Sequence, residues 1–332
     1  MDSFAYGRAA GIEDVLAEAG RPNTAFLAGG TELLNWLRLG IAKPERVIDI
    51  TQLVRLADIV RLPNGGLRIG ALARLNDVAL NDGVARDYPV LSQAILKSAS
   101  AQLRNLATIG GNPFQKTRCG YFRAEEALPC NKRNPGSGCS ALNGINDRHA
   151  IFGWSEACVA TQPSDPATAL AALDAIFITA HKDGERRINA LDFHTLPGDT
   201  PDIENTIRHG ELIVGIELPA PAPHSAYLKL RERESYEYAV VSAAVALDLE
   251  GKRISRARIA LGSVALKPWR LSEAERLLVG VSANDSATIR KIIDGSFREA
   301  KALTHNAYKI TLAKNAAVRA VRLAAGASSW PK

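Results

Sequence analysis

All four cysteines of this 332-residue chain, Cys119, Cys130, Cys139 and Cys158, fall within one window of 40 residues. Random placement would gather them so closely on the order of one time in a hundred. Between them stand Pro129, Asn131, Asn134-Pro135-Gly136, Gly138 and Asn143-Gly144, turn formers too dense for a continuous helix or strand. Whatever fold forms must carry a long irregular excursion, here taken as 113–160, and excursions of that length usually have a function. Two disulfides, a four-cysteine zinc site, an iron–sulfur cluster and four unrelated buried thiols all remain open. Intervals of ten, eight and eighteen intervening residues lack the close cysteine pairs of zinc knuckles. Iron–sulfur clusters tolerate wider spacing, and Lys116, Arg118, Arg123, Lys132 and Arg133 would offset a cluster's negative charge. His149 reads as a packing or surface histidine, not a ligand.

The length favours two or three domains over one core. A hydrophobic share of 46% with 23% charged residues describes a chain able to bury real cores. No apolar run approaches the ~18 residues of a membrane span. The net charge of +6 is spread along the chain without aromatic-basic interleaving, so nucleic acid is not an expected partner. The start, Met1-Asp2-Ser3-Phe4, shows no basic region followed by an apolar one. The default expectation is therefore a cytoplasmic chain without its own secretory signal.

Three units are expected. Residues 1–55 read as a small α/β subdomain: helix 11–19, strand 25–27, a Gly-Gly turn, helix 33–39 and strand 46–50. Residues 56–219 mix strands with helices at 75–80 and 88–99 and contain the cysteine loop. Pro219-Ala220-Pro221-Ala222-Pro223 reads as an extended linker poor in contacts. Residues 224–330 then run strands followed by helices, the order of an α+β sandwich.

Two glycine loops carry the cofactor signal. Phe26-Leu27-Ala28-Gly29-Gly30-Thr31-Glu32-Leu33 leaves a strand and opens a helix, so its amides could face an anionic group, although a plain tight turn capped by Thr31 fits too. Thr108-Ile109-Gly110-Gly111-Asn112 again sets paired glycines beside a hydroxyl, where a missing Cβ lets backbone approach a ligand. Together they could hold the two phosphates of one dinucleotide. Neither is G-x-G-x-x-G, which argues against a Rossmann domain, and no second dinucleotide fingerprint suggests NAD. Ser164 and Asp165 precede a helical run at 167–173, where Asp165 could accept from ribityl or ribose hydroxyls or serve as an N-cap.

The two glycine loops, Pro163-Ser164-Asp165 and Lys229-Leu230-Arg231-Glu232-Arg233 together resemble the FAD-binding medium subunits of the xanthine dehydrogenase (molybdenum hydroxylase) family over essentially the whole chain. The cysteine loop, with Pro129-Cys130-Asn131-Lys132-Arg133 and Pro135-Gly136-Ser137-Gly138-Cys139, is most similar to FAD subunits of periplasmic aldehyde oxidoreductases, which carry an extra [4Fe–4S] cluster. The resemblance implies an α+β chain with a two-part FAD-binding (PCMH-type) domain followed by an α+β sandwich domain. It implies FAD along Phe26–Leu33, at Thr108, Gly110, Gly111 and Asn112, at Ser164 and Asp165, and beside Val214 and Lys229. Cys119, Cys130, Cys139 and Cys158 would ligate the cluster. The partners would be a large molybdenum-cofactor subunit and a small subunit with two [2Fe–2S] clusters, with electrons leaving FAD for an external acceptor. A periplasmic location would follow from riding as folded cargo of a partner with a twin-arginine signal. Glu32 stands where Asp or Asn is usual. The cysteine loop starts close enough to Gly111 to be tethered to the flavin loop without needing to touch it. The rival reading is a zinc-stabilised scaffold whose glycine loops are merely turns.

Overall fold

A computed structural model describes residues 1–327, so positions 328–330 of the expected third unit lie outside the described residues. Strands β1 (Ala5–Arg8), β2 (Thr24–Leu27) and β3 (Arg46–Asp49) form a parallel sheet in the order β1-β3-β2. They are linked through helices α1 (Ile12–Ala19) and α2 (Leu33–Arg38). In α1 the Asp14 carboxylate accepts from the amides of Ala10 and Gly11, and Val15 and Ala19, one turn apart, turn inward. At the end of β3, Asp49 accepts from the Thr51 hydroxyl (2.6 Å) and the Tyr6 hydroxyl (2.7 Å). Burial pushes this carboxyl up, but the Thr51 and Tyr6 hydrogen bonds and Arg8 outweigh it and hold it near 2. Because the folded value lies below the ordinary ~3.9, this stabilisation is complete above that value and fades as pH falls toward 2. Urea midpoints of the wild type should therefore drop across that acid window, and Asp49→Asn should show a shallower drop.

The second unit is an antiparallel sheet of β4 (Ile59–Arg61), β5 (Leu67–Gly70), β6 (Ile176–His181), β7 (Gly184–Asn189) and β8 (Leu212–Leu218), ordered β4-β5-β8-β6-β7. Between β5 and β6 run α3 (Leu75–Leu80), α4 (Asp82–Asp87), α5 (Pro89–Leu96) and α6 (Ala101–Arg104). The cysteine loop follows, entered through a 3-10 turn at Asn112–Phe114 and holding two single turns, α7 (Gly120–Arg123) and α8 (Ser140–Asn143), and then comes α9 (Asp165–Ala172). A last turn, α10 (Ala190–Phe193), follows β7. One face of the sheet (Ile69, Phe177, Ile216, Leu218) packs on α3, α5 and α9, while Ile178, Leu212 and Val214 pack against Val15, Ile48 and Ile50 of the first unit.

The chain then forms an antiparallel sheet of β9 (Ser225–Leu230), β10 (Val241–Glu250), β11 (Arg253–Gly262) and β12 (Trp269–Arg270), followed by α11 (Ser272–Leu277), α12 (Ser286–Gly295) and α13 (Tyr308–Ala324). Residues Val241–Leu247 of β10 are buried without alternation because α13 covers one face while α5 and α9 cover the other. Ala243, Ala244 and Ala246 keep the side chains small where helices press from both sides. The proline-rich segment is not the loosely held linker its composition suggests. Ala222 is fully buried, its amide donates to the Asp87 carbonyl (2.8 Å), and the Tyr88 hydroxyl donates to the Pro219 carbonyl. Among the described residues no helix is long and apolar enough to cross a membrane.

Candidate functional site

A cleft of about 920 Å³ opens where the parallel sheet, the second sheet and β9 meet. That volume is at the upper end for cofactor and ligand clefts. Both glycine loops wall it: Phe26 and Ala28–Leu33 on one side, Thr108 and Gly110–Asn112 on the other, with Asp165 and Lys229 at the floor. Residues about 80 to 200 positions apart thus form one concave surface.

Besides walling the cleft, the glycines let neighbouring segments of the chain pack closely. A Cβ on Gly29 would lie 1.9 Å from the Leu106 carbonyl oxygen, and one on Gly110 would lie 2.6 Å from Ala71 Cβ. Both missing side chains admit protein backbone, so the first loop sits directly on the chain entering the second. The second loop is in turn laced to the segment between β5 and α3, with Ile109 N–H donating to Ala73 O (2.9 Å) and Gly110 N–H to Ala71 O (2.8 Å). Gly30 holds φ +71°, the left-handed region that favours glycine, and turns the chain into α2. The N-cap of α2 is Glu32, which makes no side-chain cap bond, so Thr31 does not cap it.

Three expected residues lie off the cleft. Leu27 points into the small core of Leu33, Leu37 and Val47. Val214 belongs to the core shared with the first unit, and its strand neighbours Leu212 and Ile213 reach the cleft instead. Ser164 is the true N-cap of α9, accepting from Ala167 N–H (3.0 Å), and it donates to Asn112 Oδ1, bracing the second glycine loop from behind. Asp165 stands one position further on and is buried. Its Oδ2 accepts from Lys229 Nζ (2.7 Å) and its Oδ1 from the Tyr227 hydroxyl. Burial pushes the Asp165 carboxyl up and the Lys229 ammonium opposes it. Each oxygen already holds an internal partner, so a cofactor hydroxyl would have to share a remaining lone pair.

Local patterns could not reveal the cleft's charged wall. Glu32 on the first loop pairs with Arg118 and with Arg123 (3.2 Å), both from the cysteine loop, and Arg118 stacks on Tyr238 (4.4 Å). Glu204 pairs with Lys116 and Lys132 (2.9 Å). Burial would raise the Glu204 carboxyl, but Lys132 and Lys116 hold it below its usual value. The cysteine loop therefore does touch the flavin loop, through ion pairs. Four of the five cations expected to neutralise a cluster are paired with these two glutamates, and Arg133 donates to the carbonyls of Ala124 and Leu39.

Residues 2–221 match the FAD binding domain in molybdopterin dehydrogenase, and residues 225–324 match the CO dehydrogenase flavoprotein C-terminal domain. The chain belongs to this family of FAD-binding oxidoreductase subunits. It is 44% identical, over 95% of its length and 96% of the relative's, to the aldehyde oxidoreductase FAD-binding subunit PaoB of Escherichia coli (strain K12). It is 30% identical, over 85% of its length and 83% of the relative's, to the glyceraldehyde dehydrogenase medium chain of Sulfolobus acidocaldarius. Its fold is that of a chain in reconstituted CO dehydrogenase from Oligotropha carboxidovorans, with TM-score 0.75, 98% of both chains covered and 23% identity. The α+β class, with an FAD-binding part followed by a C-terminal domain, is as the sequence implied. Volume, paired glycine loops and a polar floor make the cleft fit FAD.

The flavoprotein's four cysteines share one small cavity beside this cleft. Cys119 opens α7, Cys130 and Cys139 face each other across an antiparallel bridge, and Cys158 lies in a tight turn with Ser155. All four are free thiols, not the disulfides that spacing left open. Burial pushes Cys119 up to about 11 and Cys158 to about 12, with neighbouring cysteines adding to the shift. Both are thus protonated at neutral pH, and binding a metal must release those protons. Among the described residues no three His, Cys, Asp or Glu side chains gather as a metal ion requires. The expected metal ligands therefore converge on one cavity without forming a closed ion site. His149, expected to be incidental, is buried with Nε2 3.3 Å from Cys119 Sγ.

Proposed function

We propose that this chain is the FAD- and [4Fe–4S]-binding electron-transfer subunit of a molybdenum-dependent aldehyde oxidoreductase. In that complex a small partner with [2Fe–2S] clusters would deliver electrons, and a large partner would carry the molybdenum site. The observation that carries the reading is the cleft walled by both glycine loops and closed by Glu32 and its cysteine-loop arginines. The 44% identity to an aldehyde oxidoreductase FAD-binding subunit supports the substrate class. When bound, FAD supplies the exchange of single electrons for a pair. The protein's part is to position it: the glycine loops give narrow backbone walls, and the Asp165–Lys229 pair gives a polar, water-poor floor.

Four free cysteines lining one cavity, in a loop that resembles those of cluster-bearing FAD subunits, favour the cluster over the zinc alternative. A periplasmic address, as cargo of a signal-bearing partner, goes with the proposal.

Chain purified without oxygen should release one FAD on denaturation and contain iron and acid-labile sulfide at roughly four each. Stoichiometric zinc without sulfide, or a colourless protein, would refute the corresponding half of the proposal.

A further inference from the structure

The cysteine excursion starts in the second unit, but its later part is built into the C-terminal domain. Ile151 and Phe152 have almost no exposure and belong to that domain's hydrophobic core, together with Val264 and Phe297. Phe152 stacks on Trp269, with ring centroids 4.8 Å apart, and the amides of Ile151 and Phe152 both donate to the Val264 carbonyl (2.9 and 3.0 Å). The backbone just before them is held by two side chains of zero exposure, Asn306 and Lys309. Lys309 Nζ donates to the carbonyls of Arg148 (3.0 Å), His149 (2.8 Å) and Ser263 (2.7 Å), and Asn306 Nδ2 to those of His149 (3.1 Å) and Ala150 (3.0 Å). Burying an ammonium and an amide is expensive unless they are fully bonded, and here most of that bonding goes to one stretch of the excursion. Segment 148–152 is therefore an anchor in the C-terminal domain.

The earlier part of the excursion grips the first unit. Arg118 and Arg123 pair with Glu32 on the first glycine loop, and Arg133 donates to the Leu39 carbonyl (3.2 Å) just past α2. Beside the anchor, Arg148 pairs with Glu232 and with Glu237 (3.2 Å) in the loop joining β9 to β10, and Glu237 lines the cleft. Resting on the FAD reading above, we propose that the excursion is a strap, running from the first unit to the core of the C-terminal domain, that holds the cleft shut on FAD. A ligand in a narrow-walled cleft leaves through local opening, so its release rate follows the population of the opened state. Opening this cleft requires one end of the strap to let go. Lys309 and Asn306 fasten the end that lies away from the cleft lining, so that end can be loosened without altering the cleft walls.

The test measures two rates in the full chain: hydrogen exchange of the 146–152 amides, and release of FAD on dilution, followed by flavin fluorescence. Lys309→Met leaves three carbonyls without their donor, and both rates should rise roughly tenfold or more. Ile289→Ala, which opens a cavity in the same core from α12, should lower the urea midpoint and leave both rates near wild type. Arg148→Ala, a change at a partly exposed side chain, should quicken FAD release about two- to fivefold. Faster exchange without faster FAD release in Lys309→Met overturns the strap, and so does equal acceleration of release in Ile289→Ala. If Lys309→Met does not fold, Arg148→Ala decides, and release at the wild-type rate overturns the proposal. Wild-type chain that takes up no FAD would bring down the cofactor reading itself, and the strap's role with it, before any variant is made.

Discussion

Gly29→Ala should unfold the N-terminal unit before it affects FAD chemistry. The added methyl would sit 1.9 Å from a backbone carbonyl oxygen, an atom that no rotamer change can move aside. Relief requires separating the two glycine loops, so the loss should reach at least the upper end of overpacking costs, ~3 kcal/mol. Gly111→Ala is the control. Its Cβ would meet Thr108 Oγ1 at 3.3 Å, a side-chain atom that can rotate, and the Thr108 carbonyl oxygen at 3.8 Å, an ordinary van der Waals contact. Urea unfolding followed by tryptophan fluorescence should show a large fall in midpoint for Gly29→Ala and a small one for Gly111→Ala. A Gly29→Ala protein as stable as wild type would show that the interlocked loops are wrongly described. Loss of FAD from a stable Gly111→Ala protein would mark that glycine as the one facing the cofactor.

Asp165→Ala is expected to cost about as much. It strands the Lys229 ammonium in a site where the side chain is 1% exposed, and it leaves the buried Tyr227 hydroxyl without its acceptor. Removing one member of a buried pair typically costs ~3–5 kcal/mol, because the charge left behind has no compensation. Removing both charges should be milder, so the double variant Asp165→Ala with Lys229→Met should recover most of the loss. The coupling between the two sites in a double-mutant cycle measures this. Additive effects, or a single variant losing less than ~1 kcal/mol, would contradict the buried pair. Arg118→Ala is a useful comparison, since it removes a cation from the cleft wall while Arg123 still pairs with Glu32.

Much of the fold was legible along the chain because it rests on short-range rules. The helices expected at 11–19, 33–39 and 75–80 and the strand expected at 46–50 correspond to α1, α2, α3 and β3 to within about two residues. The exposed β1, with three of its four residues facing solvent, and the charged β7 gave no such signal. Their place in a sheet comes from distant partner strands.

The sequence by itself determined that this chain carries two glycine-pair loops and one cysteine-bearing excursion, and those were enough to identify the family. Only the tertiary structure decided what the residues around them do. Gly29 and Gly110 make room for protein backbone, Glu32 meets Arg118 and Arg123, Asp165 is closed off by Lys229 and Tyr227, and His149 lies on Cys119. The physical reason is the same in each case. A spacing rule reports on neighbours within a turn or a strand, while a steric or electrostatic partner is set by atoms a few ångströms away in space, here between 30 and 91 positions apart along the chain.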